Sequence, residues 1–461
     1  MSRAWPQAMK PTDIGVPGPS TWDMARAFRS VRADPLTFLT DVTQRYGDLV
    51  AFPVPGPPVL LANDPADVRH VLQTAARNWS KETVQYAALA RVTGPGLLAS
   101  SEPNWIEHRR LAAPAFHHRR LDAVAEQVRA ASDAAITERL GRSFSAGLVD
   151  VASLVHRVGL DAVGRALFSA DLSEHAQRLL DATSDAATLV VRLGRSVLPS
   201  ASWVPSSTNL RLRATRRRLD AISAELIAER RRQRRSSVDE PHGGDLLGLL
   251  IDSELTDAEI RHELVTMVIA GHETVAAALA WTLMLLAEDQ AVQDRLRGEL
   301  SEHSGPVSLL GHRETLPWTR AVVDESLRLF PPAWALSRRA HGPDVIGGRD
   351  VPGGTLVILS PWLVHRRRES WPEPLAFRPE RFLAARGAPS GYLPFGQGPR
   401  LCIGREFALG EMVVVLSRLL SRYRVEVPPG WTRPAAQAQV AVHPAGGMPL
   451  LVRPLARVAR G

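Results

Sequence analysis

Between Leu264 and Ala287 the chain runs LVTMVIAGHETVAAALAWTLMLLA, apolar almost throughout yet holding His272 and Glu273 near the middle. A run of that length leaves two outcomes, a bilayer span or the central helix of a large folded core. Just ahead of it, Thr256-Asp-Ala-Glu259 has the pattern of a capping box, in which each side chain satisfies a free backbone N–H of the first turn. The run therefore continues a helix that opens in polar sequence and ends near Ala287. We read it as the buried core helix of a soluble protein, with no integral membrane anchor. Ionisable residues in such a helix point to function.

At 461 residues, 45% apolar and 23% charged, the chain has ample material for a core, which excludes disordered, collagen-like and disulfide-stapled classes. Its formal charge of +8 is carried almost wholly by arginine, since Lys10 and Lys81 are the only lysines. Ten of the arginines fall between residues 211 and 235, against Asp220, Glu225 and Glu229. Leu212, Leu219, Ile222 and Leu226 repeat there at helical spacing, so the segment reads as a helix with a solvated basic face. No zinc-finger or RNA-binding signature accompanies it, and nucleic acid is not expected as a partner.

Residues 1–25 carry Pro6, Pro11, Pro17 and Pro19 and read as an extended Pro-rich leader without the apolar run of a signal peptide. Residues 26–461 read as a single domain, mainly α with a minor β part. A hairpin is predicted over Asp48–Ala62, a helix over 65–75, a loop over 80–103, and mostly helix from Trp105 to Asn209. A further helix over 318–330 stops before Pro331-Pro332. Short strands follow near 345–346 and 355–360, then a long irregular stretch over 366–400, and a helix from about Gly404 to Tyr423.

That irregular stretch ends in Phe395-Gly-Gln-Gly-Pro-Arg-Leu-Cys402-Ile-Gly404, which contains the only cysteine of the chain. A lone cysteine forms no intrachain disulfide and fits a reducing cytoplasm. Placed ahead of a helix and two residues after an arginine, its thiol favours the thiolate. Gly398 and Gly404 would let a flat ligand approach the backbone.

The run resembles the haem-binding signature of the cytochrome P-450 family, with Phe395, Gly398, Arg400, Cys402 and Gly404 at the defined positions. The resemblance implies a single large P-450-type fold with the long central helix over haem b, whose iron takes Cys402 as thiolate ligand. Glu325 and Arg328, with Arg381 further on, resemble the family's Glu–Arg–Arg triad, to which we give a structural role. Ala270-Gly271-His272-Glu273-Thr274 interrupts the long helix and resembles the oxygen-activation motif, so that Ala270 and Gly271 would border the cofactor. Glu273 and Thr274 then look like the acid–alcohol pair that relays protons to dioxygen; His272 receives no role. Trp105 and Arg109, with Arg338, His365 and Arg400, match positions that hold the haem propionates.

The family's activity is oxidation of hydrophobic small molecules with O2, here expected to be hydroxylation or epoxidation by a haem-thiolate monooxygenase. The chain lacks a nucleotide-binding fingerprint, so electrons are expected from a separate ferredoxin or flavodoxin-type donor with its reductase. Arg110, Arg119, Arg120 and the run Arg366-Arg367-Arg368 are candidates for that docking surface. The resemblance places the substrate pocket among the 80–103 loop, Ile269–Val275, Trp334–Leu336 and Val440–Val442. The alternative is a peroxygenase or isomerase-type haem-thiolate enzyme that needs no external electrons; intact Glu273 and Thr274 argue against it.

Overall fold

LVAF and VLLA, at Leu49–Phe52 and Val59–Ala62, pair antiparallel with Val50 opposite Leu61, as the hairpin pattern predicts. Both segments are apolar at every position because both faces of their sheet are covered. Ala51, Leu60 and Ala62 enter one apolar cluster with Val71, Trp79 and Val357. Val50, Phe52 and Leu61 enter another with Leu39, Val42 and Leu363. The five-stranded sheet continues from Val59–Ala62 to Leu356–Leu359 in parallel, then to Leu336–Ala340 and Trp79–Ser80 in antiparallel pairing.

In this computed structural model the described residues are 14–141, 145–168, 176–194, 204, 206–236, 245–383 and 389–455. The chain divides into two units. The first comprises Met1–Ala87, Ala333–Ala376 and Gly387–Cys402 and holds the five-stranded sheet. The second comprises Ala88–Pro332, Phe377–Arg386 and Ile403–Gly461 and holds most of the helices.

In the first unit the expected extended leader is corrected in its last part, while its residues 1–13 lie outside the described residues. A helix starts at Thr21, where Ser20 and Asp23 form a reciprocal capping box that outweighs the nearby prolines. The expected loop at 80–103 is corrected too, because Val84–Thr93 is helical. Its run of Ala and Leu favours helix, and the breakers begin only at Gly94. Lys81, one of the two lysines, is buried with its ammonium 4.6 Å from the ring centre of Tyr86.

The second unit is built on the helix Asp257–Glu288, opened by the capping box of Thr256 and Glu259 that the sequence predicts. Of its most apolar window 83% is buried, so it is a core helix despite a length and composition that would suit a membrane. Val151–Phe168 packs along it, and His118–Leu140 packs on Val151–Phe168 in turn. Trp281 stacks on Phe330 with ring centres 4.1 Å apart and donates its indole N–H to the Val442 carbonyl at 2.8 Å. That bond ties the long helix to the C-terminal strands.

The Arg-rich segment is the helix Ser207–Ser236, and its Leu212, Leu219, Ile222 and Leu226 are all buried. Its basic face is less purely solvated than its composition suggests. Arg218 pairs with Asp185, Arg231 with Asp257, and Arg230 with the fully buried Asp245 at 2.7 Å.

Candidate active site

The oxygen-motif residues lie on the long helix of the second unit, where the helix is continuous rather than interrupted. Gly271 has a packing reason instead. A Cβ there would stand 3.0 Å from Val163 Cγ2 on the facing helix, so the missing side chain lets the two helices close together. The Thr274 hydroxyl donates to the Ala270 carbonyl one turn back, at 2.7 Å.

Glu273 is buried, and its Oε2 lies 3.1 Å from Nε2 of His443 on the strand Val442–Pro444. Burial alone would raise this carboxyl. The hydrogen bond from His443 and the surrounding imidazoles outweigh burial and hold it well below the usual carboxylate range. His443 stacks on His156, ring centres 5.6 Å apart, and His156 meets His272 edge-on at the same separation. Burial pushes His156 down to about 4 and also depresses His272, so both rings are neutral at pH 7. His443 is thus the partner that sustains the Glu273 charge near neutrality. Sequence reading missed both His156 and His443, since each is a lone histidine in an apolar setting with no spacing signal.

The triad residues come together as expected. Arg328 donates from Nε and a terminal nitrogen to the two oxygens of Glu325, at 2.7 and 2.8 Å, and both side chains are 0% exposed. Arg381 Nε stands 3.3 Å from Glu325 Oε1, which also accepts the Arg378 amide at 2.9 Å. One carboxylate therefore fastens the helix Pro317–Leu329 to the turn Pro379–Phe382.

Trp105 and Arg109 share a face of the helix Asn104–Ala112, the guanidinium 5.7 Å from the indole ring centre. On the same helix, His108 Nδ1 meets Glu263 Oε1 of the long helix at 2.7 Å, a buried pair that the motifs did not reveal. Glu263 Oε2 also accepts the Leu97 amide.

In the first unit the Cys402 amide donates to the Phe395 carbonyl at 3.0 Å, which closes the loop. The Cys402 side chain is exposed. Gly398 has a positive φ of 70°, and a Cβ there would stand 2.0 Å from the Leu72 carbonyl oxygen. Approach of the chain's own backbone, rather than of a ligand, is what requires glycine at that position. Gly404, in the second unit, faces the Phe116 ring 3.5 Å from where its Cβ would be.

Arg338 is buried and donates to the Ser337 carbonyl at 2.8 Å. His365 is fully buried and stacked on Tyr392, and its Nε2 accepts the Leu393 amide at 2.9 Å. That bond leaves the ring proton on Nδ1, the nitrogen through which His365 can donate.

With this geometry in hand, the family model described as Cytochrome P450 matches residues 16–451. The chain belongs to the cytochrome P450 family. Cyclooctat-9-en-7-ol 5-monooxygenase of Streptomyces melanosporofaciens is 32% identical over 417 residues, covering 86% of each chain. Cyclooctatin synthase of the same organism is 30% identical over 431 residues, covering 89% of this chain and 90% of that one. The crystal structure of CYP175A1 from Thermus thermophilus superposes with a TM-score of 0.77 at 32% identity, over 96% of this chain and 100% of that one.

This cytochrome P450 is an oxidoreductase of the monooxygenase class, and its cofactor is haem with a cysteine-ligated iron. As the only cysteine, Cys402 supplies the thiolate. The structure fits that role. Cysteine is ordinarily among the most buried side chains, yet here it is exposed at the end of a loop held by the Phe395 carbonyl and the close approach to Leu72.

Proposed function

We propose that this cytochrome P450 hydroxylates or epoxidises a hydrophobic small molecule in the cytoplasm, with electrons from a separate ferredoxin or flavodoxin-type donor and its reductase. Haem held by Cys402 supplies the binding and reductive cleavage of dioxygen. Arg338, Arg400, Trp105 and Arg109 are the residues that would hold its propionates, with His365 contributing through Nδ1. Ala270 and Gly271 would border it on the long helix, as would Phe395 and Gly404 beside the cysteine.

The observation that carries the reading is the adjacency of Glu273, tied to His443, and Thr274, with its hydroxyl on the Ala270 carbonyl. Glu273 is held ionised as a weak base, so a proton it takes up is passed on rather than retained, while Thr274 presents the hydroxyl that hands one onward. His443 keeps 14% of its side chain exposed and so connects the buried acid to solvent. An enzyme that isomerises a peroxide needs no such supply of protons.

One relative, named as a 5-monooxygenase of the unsaturated alcohol cyclooctat-9-en-7-ol, supports a largely hydrocarbon substrate here. For the electron donor, Arg110 and Arg119 are exposed, as is Arg368 of the Arg366–Arg368 run. Arg367 is withdrawn from that surface by Asp48 at 2.7 Å and Asp64 at 3.3 Å.

A library of apolar compounds screened by the spin-state shift of the haem absorbance, followed by turnover of the hits with a ferredoxin system, tests the reading. Hits that turn over with the ferredoxin system support it. Robust turnover with peroxide and none with the ferredoxin system would sink it.

A further inference from the structure

We propose that His156, His272 and Glu273 form an inhibitory binding site for a divalent transition-metal ion of the zinc class, which withdraws Glu273 from the proton supply while it is occupied. One ligand atom from each of the three lies within 4.8 Å of the other two. His272 is fully buried, and its Nδ1 stands 3.1 Å from the Val268 carbonyl. A carbonyl only accepts, so Nδ1 carries the ring proton and Nε2 presents a bare lone pair. That Nε2 has no hydrogen-bond partner among the described residues and lies 3.9 Å from Glu273 Oε1.

Two acceptors thus face each other inside the protein with no donor between them, an arrangement that a shared cation would satisfy. A proton on Nε2 bridges the two poorly, because 3.9 Å is beyond hydrogen-bond reach. A metal suits the spacing better. Ligand bonds of about 2.0–2.2 Å set tetrahedral donor atoms roughly 3.3–3.5 Å apart, so the three groups need close by only about an ångström.

The donor set selects the ion. Two imidazole nitrogens and one carboxylate oxygen suit zinc and its first-row neighbours, and do not suit calcium or magnesium, which take oxygen ligands. The Val268 carbonyl on Nδ1 orients the His272 ring as an outer partner commonly does for a metal-binding histidine. His443, whose Nε2 lies 3.1 Å from the other oxygen of Glu273, orients that carboxylate in the same way.

Equilibrium dialysis of the haem-loaded enzyme against micromolar Zn2+, read by elemental analysis, tests the site. The expected result is one zinc per haem, removable by a chelator, with no uptake of Ca2+ under the same conditions. His156→Ala and Glu273→Gln should each weaken zinc binding by about tenfold or more. The reduced, CO-bound absorbance reports that each variant still holds thiolate-ligated haem, and either variant alone decides the case if the other fails to fold. Absence of stoichiometric zinc in the wild type overturns the proposal. Zinc uptake unchanged in the variants also overturns it, by assigning the metal to surface imidazoles such as the exposed pair His117 and His118.

Discussion

Nε2 of His443 lies 3.1 Å from Oε2 of Glu273, so the acid of the oxygen motif is anchored by a strand 170 residues further along the chain. Replacing His443 with leucine removes the hydrogen bond that Glu273 Oε2 receives. Glu273 then carries its charge with only two neutral rings around it, and its tendency to ionise falls. We expect coupling of electron consumption to product to drop on the order of tenfold, with a matching rise in peroxide release. Product and peroxide assayed together check this. An unchanged coupling ratio would show that His443 has no hold on the proton supply.

Glu325 is the single carboxylate shared by Arg328, Arg381 and the Arg378 amide. Glu325→Gln takes from the fully buried Arg328 the carboxylate that holds two of its nitrogens, a change that costs about 3–5 kcal/mol. Denaturant unfolding should register the loss. The double variant Glu325→Gln with Arg328→Met should recover part of it, because the buried guanidinium that lost this carboxylate is gone.

Gly398→Ala tests the close approach of the cysteine loop to Leu72. The new Cβ meets a carbonyl oxygen at 2.0 Å and the backbone must keep a positive φ. Strain of at least about 2 kcal/mol is expected, concentrated in the loop that carries Cys402. The amplitude of the reduced CO-bound band per mole of chain should fall more than the helical content does. Equal losses in both would mean the loop is not the sensitive element.

His108 and Glu263 give stability a definite pH dependence. The hydrogen bond to Glu263 holds the His108 pKa above its ordinary value of 6.5, against the opposing effect of burial. The folded state therefore keeps a proton that the unfolded chain releases above that value. The contribution is fully present below pH 6.5 and is lost as pH rises through the raised folded pKa. Urea midpoints taken from about pH 6 to about pH 9 should decline over this window in the wild type and stay flatter in His108→Gln. Glu263→Gln should cost about 1.5–3 kcal/mol at pH 6 and less at pH 9.

Much of this arrangement was legible in the sequence because it rests on local signals. The capping box at Thr256 and the apolar run after it mark the long helix, and five defined positions within ten residues mark the cysteine loop. The helix Val84–Thr93 was hidden because its apolar residues are mostly small and the breakers at Gly94 and Pro95 colour the whole stretch. His156, His443 and the His108–Glu263 pair were hidden for a different reason. Each becomes meaningful only when helices and strands distant in sequence are packed together, and nothing within a few residues of any of them announces the partner. Gly271 and Gly398 were visible as glycines, but the neighbours that require them, Val163 and Leu72, are tertiary.

The burial of Lys81 against Tyr86 makes its amine a reporter of local opening. Acylating reagents find Lys81 shielded in the folded protein, so its modification waits until this part of the chain opens. The rate of that acylation, read by peptide mass, should therefore track how often the segment around Tyr86 comes apart under turnover conditions.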